Sequence, residues 1–397
     1  MSPSVSTASR VVDAVVEKYA DELVDLRRDL HAHPELSWSE HRTTDLVARR
    51  MAEAGWRVDR LLPTGLVAEL GSSGPVIALR ADLDALAVTD TTDDPWMSTT
   101  PGVAHACGHD VHTAALVGAG LALAELHAQG RNRGRFRLLF QPAEEIMPGG
   151  ALEMLEAGVL AEVSHVFGLH CDPSIDVGTV GLREGPITGA ADALDVTLTG
   201  KGGHTSRPHL TEDLTFALGK LITELPAILS RRLDPRAGVS VVWGLVAAGG
   251  APNVIPATGR VAGTVRMLDA VAWADAEHLV RDLVRQVLEP YGVTARIVYH
   301  RGVPPVVNAH TSTHILGRAA EMVVGEDGRQ STSQSLGGED FGWFLERVPG
   351  AMARLGTRTP DGPTYDLHQG NLRIDERAVT IGARVLAHAA VLAQHLS

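Results

Sequence analysis

Two stretches near the start of the chain alternate apolar and polar residues with helical spacing. Val12, Val15, Val16, Tyr19, Leu23, Leu26 and Leu30 recur every three to four positions and predict one helix ending before Pro34. "TTDLVARRMAEAG" predicts a second, with Gly55 as its terminator. The pattern then changes. "PVIALRADLDAL", "RFRLLFQPAEE" and "VSHVFGLH" each hold a short apolar run that ends in acids or a histidine. Helical stretches, "HTAALVGAGLALAELHAQG" and "GGALEMLEAGVLAE", separate them. Strands alternating with helices predict an α/β sheet with crossover helices. Ligands in open α/β sheets bind beyond the carboxyl ends of the strands, so Asp82, Asp84, Glu144, Glu145 and His170 are expected to converge on one edge.

From about Gly185 the texture becomes β-rich, with two helical stretches interrupting it. The order β-α-β-β-α-β predicts a compact ferredoxin-like module inserted in the larger domain. The expected organisation is a catalytic domain over residues 1–185, the insert over 186–299, and the rest of the catalytic domain over 300–397.

Composition narrows the function classes. The 397 residues carry a formal net charge of −13, which argues against nucleic acid or an anionic membrane as partner. The two cysteines, Cys107 and Cys171, cannot form a disulfide framework, and the N-terminus shows no apolar signal region. Both features fit a cytoplasmic protein. No uninterrupted apolar run reaches the 18–20 or so residues of a membrane span.

The densest chemistry is "HACGHDVH", from His105 to His112. A thiolate and an imidazole two residues apart, Cys107 and His109, can face one divalent ion. Glu145 and His170 are available at strand ends to complete such a site. Two carboxylates after an apolar run are costly to bury without a cation or proton. Asp110 is a candidate to orient a ligand histidine, and Cys171 is read as core. "GKGGHTSRPH" around His204 reads equally well as a polar hairpin turn; Asn253 in "APNVIP", Arg266, and Glu339, Asp340 and His368 near the end are further candidates that, taken singly, are better explained as structural or solvated.

Together these motifs resemble the metal-dependent amidohydrolases of the aminoacylase/carboxypeptidase superfamily, in the branch that hydrolyses N-acyl amino acids, hippurate and indoleacetyl-amino acid conjugates. "LHAHPELSWSE", "ALRADLDAL", "HACGHDVHTAAL", "LLFQPAEE", "GLH", "GKGGHTSRPH", "NVIP", "GTVR", "GGEDF" and the late "LH" carry the resemblance in order from residue 30 to 368. It implies a zinc-exopeptidase-like α/β metallopeptidase domain with an inserted ferredoxin-like α+β dimerisation domain. It implies two divalent ions per subunit, zinc or manganese with cobalt or nickel as alternatives, on Cys107, His109, Glu145, His170 and His368. Glu144 matches the general base, Asp84 the acid that orients a ligand histidine, and His204 a histidine that reaches the partner subunit's site in a homodimer. Asn253 and Arg266 match residues that hold the substrate's carbonyl and carboxylate. The sequence departs from the family pattern twice. "QPAEE" is followed by "IMPGG" instead of a glycine run, and the late "LH" by "QGNLRIDE" instead of a phenylalanine-containing stretch. A dipeptidase or aminopeptidase on the same scaffold, a cysteine-nucleophile hydrolase using Cys107, and a non-catalytic binding protein are the competing readings.

Overall fold

The computed structural model describes residues 3–61, 63–131 and 134–396. They fall into two compact units. The first holds the residues through Ile187, Val307–Ser333, and the chain from Asp340 onward. The second holds Thr188–Val306 and a short return segment, Gln334–Glu339, which has no signature in the sequence.

The first unit is built on an eight-stranded sheet in the order Arg57–Arg60, Leu66–Leu70, Arg135–Gln141, Val76–Asp82, Val163–Asp176, Gly350–Arg358, Val180–Leu182, Arg329–Ser331. The four central strands, from Arg135–Gln141 to Gly350–Arg358, run parallel. Val76–Asp82 is buried at every position, as expected for a strand covered on both faces. Helices Pro3–Lys18, Ala20–Ala32, His109–Ala128 and Arg377–Leu396 pack on one another.

Three expectations change. The predicted first helix is two helices, divided at Tyr19 (φ −102°, ψ 11°). Hydrogen bonds from Tyr19 N–H to Val15 O and from Leu23 N–H to Tyr19 O carry the pattern through the bend, so the apolar spacing does not reveal it. The strand expected to end at His170 continues to Asp176. Gly350–Arg358 pairs with it from Val166 to Asp176, with a register shift near the end, whereas Val76–Asp82 pairs only as far as Arg80 opposite Gly168. His170 therefore lies just beyond the end of one neighbour, and still at the site edge of the sheet. Finally, the helix His109–Ala128 is long and apolar enough, by length and composition, to cross a bilayer. His109, Asp110, His112 and Glu125 interrupt its apolar run, which hides this in the sequence. In the structure 78% of its most apolar window is buried, as befits a core helix.

The second unit carries a four-stranded antiparallel sheet ordered Ser240–Ala248, Thr258–Met267, Ala190–Thr199, Thr294–Val303. With helices Leu214–Arg232 and Ala270–Leu288, this is the ferredoxin-like arrangement. Each helix starts at an aspartate cap: Asp213 accepts from Phe216 N–H and Asp269 from Ala272 N–H. Leucines 214, 218, 221, 225 and 229 form the buried stripe of the first helix. A two-residue ribbon pairs Gly203–His204 with Val254–Ile255.

Candidate metal centre

The site is assembled at the carboxyl ends of Val76–Asp82 and Arg135–Gln141, beside His170, and at the start of the helix His109–Ala128. Gly108 precedes that helix in a left-handed conformation (φ +86°). A Cβ there would lie 2.9 Å from the Cys171 side chain, so glycine is what lets Cys107 and His109 sit against the sheet. His368 arrives on a loop, also left-handed (φ +62°), with its N–H donating to Ala106 O at 2.7 Å.

Six residues named from the sequence meet here. Ligand-type atoms of Cys107, His109 and His170 lie within 4.8 Å of one another, as do those of Cys107, Glu145 and His368, and those of His109, Glu144 and Glu145. Cys107 Sγ is 3.6 Å from His170 Nε2. Glu145 Oε1 is 3.7 Å from His109 Nε2 and 3.5 Å from His368 Nε2.

The hydrogen bonds fix which ring nitrogens face the centre. His109 Nδ1–H donates to the Asp84 carbonyl (2.9 Å) and His170 Nδ1–H to the Cys171 carbonyl (2.8 Å). A carbonyl can only accept, so in the neutral rings both Nε2 lone pairs point inward. His112 is fixed the opposite way. Its Nε2 accepts from Cys171 N–H at 2.8 Å and its Nδ1–H donates to Asp82 Oδ1 at 2.6 Å, so it has no lone pair to give a metal. His105 is buried with both ring nitrogens unpartnered among the described residues, and burial pushes its pKa down to about 4. Asp110 does not orient a ligand histidine: it binds His31 Nδ1 and lies 2.8 Å from Arg27 Nε, because its start-of-helix position faces the helix Ala20–Ala32. Cys171 is fully buried, as expected of a core residue.

The donor set fits a cation. His109 Nε2 and Glu145 Oε1 are buried and have no hydrogen-bond partner among the described residues, which is expensive unless something positive joins them. Burial disfavours charge on His109, but Asp82, Cys107 and Asp84 outweigh it and raise its pKa well above normal.

Asp82 and Asp340 were candidates in the sequence, but the arginine that links them, Arg80, was not. Arg80 is buried and donates to Gln141 Oε1, Asp82 Oδ2 and Asp340 Oδ1 at 2.6–2.8 Å. Asp340 also accepts from Ala151 N–H at 3.0 Å. A Cβ at Gly149 would come within 2.2 Å of the Asp340 carboxylate, and one at Gly150 within 2.0 Å of Pro142 O. The two glycines that survive in "IMPGG" are therefore the ones the close packing demands. Ile146 and Met147 stay exposed between these fixed points.

A family model described as peptidase family M20/M25/M40 matches residues 78–391. The chain belongs to this family. As an M20 protein it is a hydrolase of the metal-dependent amidohydrolase and peptidase kind. A Bacillus subtilis structure described as a dinuclear metal-binding peptidase of the M20 family superposes with a TM-score of 0.82 at 33% identity, covering 96% of this chain and 99% of that one. An N-acetylcysteine deacetylase of Bacillus subtilis (strain 168) is 37% identical over 376 residues, 93% of this chain and 96% of its own. A Rhodococcus jostii (strain RHA1) protein named as a glutamate–cysteine ligase is 49% identical over 367 residues, 92% of this chain but 46% of that longer protein. This chain thus spans less than half of that relative's length.

The remaining candidates of this M20 chain lie in the second unit. His204 is exposed in the short ribbon, and Asn253 directly precedes the paired strand, its carbonyl accepting from Thr205 N–H. His204 Nδ1 accepts from Ser206 N–H at 3.1 Å, which leaves the ring proton on Nε2 as an outward donor. Arg266 sits on the strand Thr258–Met267, where it donates to the Leu336 carbonyl.

Proposed function

We propose that this chain hydrolyses the amide bond of N-acyl or N-aryl-acyl amino acids, releasing a carboxylic acid and a free amino acid. The observation that carries the reading is the pairing of orphaned, inward-facing donors on His109 and Glu145 with the adjacent Glu144 carboxylate. Cys107, His109, Glu145, His170 and His368 would hold two divalent ions, and the thiolate–imidazole–carboxylate mixture suits zinc or manganese, with cobalt or nickel also compatible. Divalent ions in such a site acidify water and polarise a carbonyl oxygen.

The rest falls to the protein's own groups. Glu144 takes the proton from the attacking water and returns it to the leaving amine nitrogen. Asp84 holds His109 through its carbonyl, with its carboxylate 3.4 Å from the same ring nitrogen. His204 Nε2–H donates to the oxyanion, Asn253 to the substrate carbonyl, and Arg266 to the amino acid's carboxylate. A cysteine nucleophile is disfavoured, because it leaves the convergence of Glu144, Glu145, His170 and His368 around Cys107 without a role.

His204 would serve the partner subunit of a homodimer. Among the described residues the outer strand Ser240–Ala248 pairs on one side only, and it exposes Val242 and Val246 at 60% and 57%, the kind of edge that a second copy covers.

One experiment tests both parts. Glu144→Gln should keep its metal and lose about 10²–10⁴-fold in turnover, and His204→Ala should be slow but folded. Mixed dimers of the two should regain activity. Wild-type turnover in Glu144→Gln removes the base assignment, and silent, verified heterodimers remove the shared site. A panel of N-acetyl, N-benzoyl and indoleacetyl amino acids with dipeptides as the contrast identifies the acyl class; preference for dipeptides overturns the N-acyl reading.

A further inference from the structure

The segment that presents Glu144 and Glu145 is held from both sides by carboxylates. Asp84 Oδ2 accepts the N–H of Glu145 at 2.9 Å, and Glu40 Oε1 accepts the N–H of Ala143 at 2.8 Å. A hydroxyl steadies each carboxylate: Ser37 donates to Asp84 Oδ2 at 2.7 Å and Thr64 to Glu40 Oε2 at 2.6 Å. Glu40 is wholly buried, and Thr64 is 1% exposed. Ala143 is also unusual in its backbone, with φ +53°, a region in which alanine is strained and glycine is not. Its carbonyl accepts from Gly150 N–H at 2.9 Å, so the strained residue closes the loop that carries both glutamates.

A buried carboxylate normally needs a cation or several donors. Among the described residues Glu40 has no cation partner; its carboxylate accepts from the Thr64 hydroxyl, from its own backbone N–H and from the N–H of Ala143, 103 positions away. Nothing in a purely local role for the helix His41–Glu53 calls for this, since Glu40 makes no side-chain cap hydrogen bond there.

We propose that Glu40 is a positioning residue for the metal centre: its carboxylate holds Ala143 in the left-handed conformation that aims Glu145 at the metals and Glu144 at the water. The proposal rests on the reading of Glu145 as a ligand. Without the Glu40 oxygen, Ala143 loses the partner that offsets its strain, relaxes to negative φ, and swings the next two side chains.

The test reads Zn²⁺ affinity by chelator competition on folded protein, which needs no substrate. Glu40→Ala should bind Zn²⁺ about 10–100-fold more weakly. Glu40→Gln, which keeps an acceptor oxygen, should stay within about threefold. The decisive variant is Glu40→Ala/Ala143→Gly, because glycine adopts positive φ without help; it should recover threefold or more of the lost affinity. A merely structural glutamate would not be rescued from position 143. Wild-type affinity in Glu40→Ala, or no recovery in the double variant, overturns the proposal. If Glu40→Ala does not fold, Thr64→Val with and without Ala143→Gly replaces it: a loss of threefold or more that glycine recovers supports the proposal, and no loss or no recovery overturns it. Glu145→Ala run alongside separates the two ideas, since undiminished affinity there would remove the ligand reading itself.

Discussion

Each unit buries a carboxylate-centred cluster, and the two differ in what they lack. In the second unit Asp192 is 2% exposed, and both its oxygens are taken: Trp273 Nε1–H donates at 3.0–3.1 Å, the Tyr299 hydroxyl at 2.5 Å and Gly302 N–H at 2.8 Å. In the first unit Glu145 Oε1 and His109 Nε2 face each other at 3.7 Å with no hydrogen-bond partner among the described residues. Both clusters are polar and buried. Only one is incomplete, and incompleteness marks a place for a ligand better than polarity or burial does.

The comparison can be broken in three ways. The largest effect is expected at the closed cluster. Asp192→Ala leaves an indole, a phenol and a backbone donor buried together without their acceptor, and should cost about 3 kcal/mol of unfolding free energy. It should leave the metal content of the folded fraction unchanged; denaturant titration with metal analysis decides it. The open cluster should behave inversely. Cys107→Ser should weaken metal binding by about 10–100-fold, about 1.4–2.7 kcal/mol, while the stability of the metal-free protein changes little. Unchanged metal content after dialysis would show that Cys107 is not a ligand.

The smallest effect is a pH signature of the closed cluster. Burial first, then the hydrogen bond to Asp192, raises the Tyr299 pKa far above that of an ordinary tyrosine. Above about pH 10 the unfolded chain gives up this proton and the folded chain keeps it, so the folded state binds more protons and stability falls as pH rises. Relative to Tyr299→Phe, which cannot ionise, the wild type should lose on the order of 1 kcal/mol between pH 9 and 11. A pH-independent difference would show that Tyr299 ionises normally.

Much of this was legible in the chain. The alternation of apolar runs with helices announced the α/β sheet, and the β-rich stretch after Gly185 announced the antiparallel insert. Acids and histidines at the ends of apolar runs marked the site edge, because strand termini are where a buried sheet lets polar side chains meet. The supporting groups left less: Asp340 was a candidate without a partner, and Glu40 was not singled out at all. Glu40 and Asp340 act through backbone N–H groups 103 and 189 positions away, and no local pattern encodes a partner at that distance. Asp110 misled for a related reason: its neighbours in sequence are site residues, but one step around the helix start turns it toward His31 and Arg27. His112 is the same case, a histidine among candidate ligands whose lone pair is already spent on Cys171 N–H.

His368 sets the proposed centre's relation to its surroundings. Its side chain is 55% exposed, while His109 is sealed and Cys107 and His170 are buried. The triad Cys107, His109, His170 is an inner seat, and Cys107, Glu145, His368 an outer one that opens to solvent through a single loop-borne ring. An ion held in the outer seat would be able to trade that exposed ring for water, whereas one held in the buried inner seat would not leave so cheaply. The difference is one of residence time. On the proposed reading one ion would be a permanent part and the other would be drawn from the surroundings, so that activity would track the local supply of divalent cations.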